Sequence, residues 1–120
     1  MEAIKRSPKV FLFDTESADL NAEFGTVFCT AWKELGKNEV NIIKISDFAH
    51  FKEDVTEDYY VIEESVRRLS EADVLVGWYS SRHDVPLLNS RAIYHRLPTL
   101  PPIPHVDGWR VARNHLNLRS

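Results

Sequence analysis

The apolar residues of this chain change their period partway along it, and that change restricts the chain to a mixed α/β fold. Three strand-like runs come first. Val10-Phe-Leu-Phe-Asp14 is a short apolar stretch that predicts a buried strand. Thr26–Trp32 and Val40–Ile45, rich in β-branched and aromatic residues, predict two more. The Leu35-Gly36-Lys37-Asn38 turn between them predicts an antiparallel hairpin. Over residues 56–71 the period lengthens. Tyr59, Ile62, Val66 and Leu69 fall on one face of a helix, and Glu63, Glu64, Arg67 and Arg68 fill the opposite face. Asp73-Val-Leu-Val-Gly77 then predicts a fourth strand and Asp84 to about Arg96 a second helix, with Asp84 as a possible N-cap and Pro86 in the first turn. After the Pro-rich loop at 98–104, Pro104 to Asp107 predicts a short edge strand and Trp109 onward a further helix.

Three consecutive strands favour an antiparallel meander, and the later β-α-β units favour parallel strands with right-handed crossovers. The expected architecture is a mixed β-sheet flanked by helices. At 120 residues the chain has material for one core, so residues 1–120 are expected to form a single domain. No window approaches the ~18 uninterrupted apolar residues of a membrane span, and the basic start lacks the apolar run of a secretion signal. Cys29 is the only cysteine, so no internal disulfide forms, which agrees with a reducing cytoplasm. Its apolar strand neighbours suggest a buried, inert thiol. The net charge of −3 is uneven: residues 81–120 hold six arginines against two acids, a net +4, which leaves −7 on residues 1–80. Such a division suits metal-binding carboxylates beside a phosphate-binding surface, although small domains also carry uneven charge for no functional reason.

Asp14 and Glu16 are the strongest local signal. On a strand, residues i and i+2 share a face, with Cα atoms about 6.6 Å apart. Two carboxylates so placed repel one another, and a hard divalent cation such as Mg²⁺ or Mn²⁺ removes the conflict. The plainer reading is that the strand stops at Asp14 and Thr15-Glu16-Ser17 form a solvated turn. Asp84 follows the fourth strand, and strands one and four are expected to be neighbours, so Asp84 can meet Asp14 and Glu16 beyond their carboxyl ends. The plainer reading there is helix capping alone. There is no Ser-His-Asp order, Gly-rich phosphate loop or Cys/His zinc spacing.

Taken together, the sequence resembles the DEDD family of 3′–5′ exonucleases of the RNase H-like superfamily, most closely the proofreading domains of family-B DNA polymerases and related stand-alone nucleases. Phe13-Asp14-Thr15-Glu16 is similar to the family's first motif. Gly77 through Leu88, continuing to Ala92, is similar to the second, and His105 to Arg113 to a segment that follows it. The resemblance implies an RNase H-like fold and phosphodiester hydrolysis with two Mg²⁺ or Mn²⁺ ions held by Asp14, Glu16 and Asp84 as catalytic and metal-binding residues. It implies a single-stranded 3′ end as substrate, DNA before RNA, with Thr15, Phe24, Tyr79 and Arg82 as substrate contacts. Trp78 is a further stacking candidate, or a core residue beside strand four. Arg91 and Arg96 are phosphate contacts, or the solvated face of their helix. His83 and His105 are stand-ins for a water-orienting group, or structural.

Two departures stand out. The second motif often carries Asn five residues before its acid, where this chain has Tyr79. The third motif, which brings a Tyr or His and the fourth acid, has no counterpart, and the only acid after Asp84 is Asp107. Asp107 is therefore the one candidate fourth acid, at a position that is usually structural in the family. These departures lead to the expectation of a C-terminally truncated or split domain lacking the last helices. The rival reading is a catalytically incomplete nucleic-acid-binding subunit that takes its fourth acid from a partner, whether a polymerase, a C-terminal half or another copy of itself. An endonuclease of the same fold is a third.

Overall fold

The computed structural model describes residues 6–18, 25–49, 53, 54 and 57–116. Five strands and three α-helices follow in the order β1 (Val10–Ser17), β2 (Val27–Glu34), β3 (Val40–Lys44), α1 (Tyr59–Leu69), β4 (Val74–Gly77), α2 (Asp84–Tyr94), β5 (His105–Asp107) and α3 (Gly108–Leu116). They form one mixed sheet in the order β3-β2-β1-β4-β5. The β1–β2 and β2–β3 pairs are antiparallel, whereas β1–β4 and β4–β5 are parallel, so the meander and the two crossovers are joined at β1. Gly36, in the hairpin turn, has φ +91°, a left-handed conformation that favours glycine.

Strand β1 sets which side chain faces where. Phe11, Phe13 and Thr15 are buried, and Leu12, Asp14 and Glu16 between them are exposed. Phe11 and Phe13 meet Ile62, Val66 and Leu69 of α1 and Leu87, Leu88 and Ala92 of α2 in one apolar cluster, so both helices lie on the same side of the sheet. Within that core the buried hydroxyls of Ser65 and Thr30 satisfy one another at 2.9 Å. The other side of the sheet exposes Leu12, Val40, Ile42 and Val106. No residue of α3 is buried.

One boundary changes the reading of the site. Strand β1 continues to Ser17, because β2 pairs with it through Asp14↔Ala31, Thr15↔Thr30 and Glu16↔Cys29. Asp14 and Glu16 are therefore held within a strand and not in a closing turn.

Candidate metal centre at the end of the central strands

Strand β4 accompanies β1 only from Val10 to Leu12. Beyond Leu12, β1 runs on without that neighbour, and the N–H of Thr15 needs a partner from elsewhere. Asp84 supplies it: its Oδ1 accepts the Thr15 N–H at 3.1 Å and the Thr15 hydroxyl as well. Thr15 faces the core between the two exposed carboxylates of Asp14 and Glu16, so this tie brings Asp84 to the same end of β1.

Asp84 is not a helix cap. It is the first residue of α2, His83 occupies the capping position, and no side chain caps the helix. At 3% exposure its carboxyl is pushed above the usual range, first by burial and also by the negative charge of Asp14, against the opposing effect of the Thr15 hydrogen bonds and His83. An anion buried beside another anion is stabilised by a cation. The donor set of Asp14, Glu16 and Asp84 is all hard oxygen, which fits Mg²⁺ or Mn²⁺ in kind and in charge. Among the described residues, however, these three do not each bring an oxygen within 4.8 Å of the other two.

That closeness is found instead at Glu57, Asp58 and His95. Asp58 is completely buried and surrounded by donors. Arg91 spans both its oxygens, with Nη2 at 2.7 Å and Nε at 2.9 Å; the Val27 N–H reaches it at 3.0 Å and His95 Nε2 at 2.6 Å. Burial alone raises this carboxyl, but Arg91, the Val27 N–H and His95 outweigh it and hold it below the ordinary value. With its charge already matched by a guanidinium, Asp58 has little left to offer a second cation. It fastens the start of α1 to the start of β2 and the end of α2. Arg91 is consequently neither a phosphate contact nor part of a solvated face, a pairing that reading along the sequence missed. The one local hint was an Asp immediately before an amphipathic helix.

Asp107 has a third environment. Its Oδ1 accepts the N–H groups of Tyr79 at 2.8 Å and Trp109 at 3.0 Å, and its Oδ2 accepts the Ser81 N–H at 3.0 Å and hydroxyl at 2.6 Å. Burial opposes its ionisation, but the Ser81 hydroxyl and these backbone donors lower the carboxyl overall. The residue thereby ties the loop after β4 to the start of α3. In that loop Ser80 is fully buried, and its hydroxyl shares a 2.6 Å hydrogen bond with His105 Nε2. The same hydroxyl lies where a side chain on Gly77 would begin, so this turn requires glycine. Burial lowers the His105 pKa, against the pull of Asp107 and Asp84.

Trp78 is 60% exposed, which overturns the core-packing reading, and Tyr79 is exposed with φ +58°, a conformation Asn adopts more readily than Tyr. Arg82 is exposed and His83 half-buried. Phe24 lies outside the described residues. Arg96, with φ +59°, follows the end of α2. Cys29 is half-buried rather than buried, and its thiol is pushed up by burial and by the carboxylates of Glu16 and Asp14. No helix among the described residues is long and apolar enough to cross a membrane.

No curated protein sequence matches the chain. Among solved structures it is similar to the family B DNA polymerase from the hyperthermophilic archaeon Pyrobaculum calidifontis, at a TM-score of 0.68 and 18% identity. The match covers 96% of this chain and 17% of the polymerase chain, so this chain spans well under a fifth of that protein. At that identity the likeness speaks for the fold. A family model described as RNase_H superfamily matches residues 11–120, nearly the whole chain and every element of the sheet, and on this ground the chain belongs to the RNase_H superfamily.

Proposed function

We propose that residues 1–120 form a DEDD-type 3′–5′ exonuclease domain that hydrolyses phosphodiester bonds at single-stranded 3′ ends, DNA before RNA, with two Mg²⁺ or Mn²⁺ ions. One observation carries this reading: Asp14 and Glu16 share the exposed face of the central strand, and Asp84 is tied to Thr15 between them. The nuclease-type fold of the superfamily supports it, as does the likeness to a DNA polymerase.

Asp14, Glu16 and Asp84 are the residues that would hold the ions. Divalent ions bound there would supply positive charge that stabilises the negative charge hydrolysis develops on the attacking and leaving oxygens. Thr15 keeps the Asp84 carboxylate fixed at the strand end, so little rearrangement of the acid is left for substrate binding to drive. Arg82 and Tyr79 sit on the loop after β4, where a backbone phosphate and a base would pass. Asp107 is committed to four donors within the protein, which speaks against it as the fourth acid of the family.

A second reading has its own observation. The uncovered sheet face, with Leu12, Val40, Ile42 and Val106 exposed, favours a subunit that works only when another chain or a second copy packs there and completes the site. Digestion of a 5′-labelled single strand separates the two. Metal-dependent shortening from the 3′ end, absent in EDTA and in Asp14→Asn, is the expected result for the exonuclease. No cleavage by dilute folded protein, restored on raising its concentration or on adding a partner, is the expected result for the subunit. Equal cleavage by wild type and Asp14→Asn would overturn the site assignment.

A further inference from the structure

The start of α1 and the end of α2 meet in an aromatic surface that the nuclease site does not use. Five rings follow one another in contact. Phe48 stacks on Tyr60 with centroids 5.6 Å apart, and Tyr60 meets Tyr59 edge-on at 5.1 Å. Tyr59 in turn meets His95 edge-on at 5.5 Å, and His95 meets Tyr94 edge-on at 4.9 Å. Tyr59, Tyr60 and His95 line a cavity of about 330 Å³, and Glu57 completes its wall. With interplanar angles of 76° and 83°, these rings form the sides of a cup rather than a stack. Tyr60 is exposed, and so is Tyr94.

The cup is negative. The Tyr59 N–H donates to Glu57 Oε1 at 2.9 Å and so fixes the carboxylate in place. Among the described residues, Glu57 has no lysine or arginine at ion-pair distance, and His95 Nδ1 lies 4.0 Å away. The neighbouring Asp58 is matched by Arg91, and residues 53–64 hold six acids with no lysine or arginine. One carboxylate among ring faces is a poor shell for a hard metal ion, which takes several oxygen ligands. It suits a weakly hydrated organic cation, which the ring faces attract as well. The fold already holds one arginine in this way. Arg91 pairs with the Asp58 carboxylate at 2.7 Å, and its guanidinium lies over the Tyr94 ring at 4.4 Å. Glu57 with the rings of Tyr59 and Tyr60 offers the same combination at the surface.

We propose that this cup receives an arginine side chain of a partner protein, its guanidinium paired with Glu57 and flanked by Tyr59 and Tyr60. The aromatic band from Phe48 to Tyr94 points to a protein as the source. Tyrosine and arginine carry much of the binding energy of protein interfaces, and a small free cation would leave Tyr94 uncovered. The proposal does not rest on the nuclease reading, whose three acids it does not involve. The test is an NMR titration of the whole chain with acetyl-Gly-Arg-Gly-amide and with the same peptide carrying citrulline, the uncharged isostere of arginine. The arginine peptide should shift the amide signals of Glu57, Tyr59, Tyr60 and His95 saturably. The citrulline peptide should bind about ten-fold more weakly, having lost both the ion pair and the attraction to the rings. Tyr60→Leu, which keeps an apolar side chain but no ring, should weaken arginine binding about three-fold, and Tyr60→Phe should restore it. Glu57→Gln should weaken it by about the same factor. The rest of each variant's spectrum reports that it is folded, and Asp14→Asn should bind the peptide as wild type does. Equal affinity for the two peptides would reduce the cup to a neutral groove and overturn the proposal. So would shifts at Asp14 and Glu16 that bypass Glu57 and Tyr60, wild-type affinity in Tyr60→Leu, or no saturation up to tens of millimolar arginine peptide.

Discussion

Asp58 and Asp84 are both buried aspartates at the start of helices, and the protein treats them in opposite ways. Asp58 is matched: a bidentate arginine, a histidine and a backbone N–H surround it, and its carboxyl lies below the usual range. Asp84 is left in need of positive charge: Thr15 donates to it, but Asp14 adds a second negative charge, and its carboxyl lies above the usual range. A carboxylate that holds a fold together is given its counter-charge by the fold. Asp84, which we propose is kept for chemistry, is given none by the fold. The difference explains why the tightest group of potential ligands, at Glu57, Asp58 and His95, is the poorer metal candidate, and the looser set around Asp84 the better one.

The contrast breaks most visibly in activity. Asp84→Asn should reduce metal-dependent cleavage by orders of magnitude while leaving the melting temperature unchanged or slightly raised, since the amide oxygen still accepts from Thr15 without the repulsion from Asp14. A large loss of stability in Asp84→Asn would make it a structural residue like Asp58. Next in size is Asp58→Ala, which leaves Arg91 buried without its partner. Urea unfolding should show a loss of about 3–5 kcal/mol, as for other broken buried ion pairs. A loss under about 1 kcal/mol would mean that the pair contributes no more than a surface salt bridge does.

Stability against pH sharpens the same point, because the two groups act with opposite sign. Asp58, with a lowered folded pKa, contributes stability above its unfolded pKa of about 3.9 that is lost as pH falls through the folded value. The stability gap between wild type and Asp58→Ala should therefore narrow on acidification below about pH 4. Asp84, with a raised folded pKa, favours the folded state below about pH 3.9, and that contribution is lost as pH rises through its folded value. Asp84→Asn should accordingly gain on wild type between about pH 4 and neutrality. Curves that run parallel over the whole range would contradict both assignments. The smallest effect is at Asp73, a surface carboxyl that Arg6 and the Lys9 N–H hold at about 2. Arg6→Ala should return it toward the ordinary value, as read by NMR titration, with almost no change in melting temperature.

The sequence made the frame legible because the frame depends on pattern. The alternation in β1 and the helical stripe of α1 appear in the order of residue types, and the hairpin appears in its turn. The pairing of Asp14 and Glu16 was legible too, since i and i+2 share a face on any strand. Tertiary facts were not. Strand β1 passes Asp14 because β2 pairs with it, and polar residues at its end hid that extension. Asp84 bonds a threonine 69 residues away in place of its own helix, and Asp58 bonds an arginine 33 residues away; residue types do not name such partners. The chemistry of Trp78 allowed both a stacking and a core reading, and its exposure next to the backbone turn at Tyr79 decides against the core.

The central claim, that the group Asp14, Glu16 and Asp84 binds a divalent cation and the group Glu57, Asp58 and His95 does not, is tested most directly by titrating Mn²⁺ into wild type, Asp14→Asn and Asp84→Asn by calorimetry. Saturable binding to wild type, lost in both variants while Asp58 and its arginine are intact, is the predicted result. Binding that persists undiminished in Asp14→Asn and Asp84→Asn would place the ion elsewhere and contradict the account.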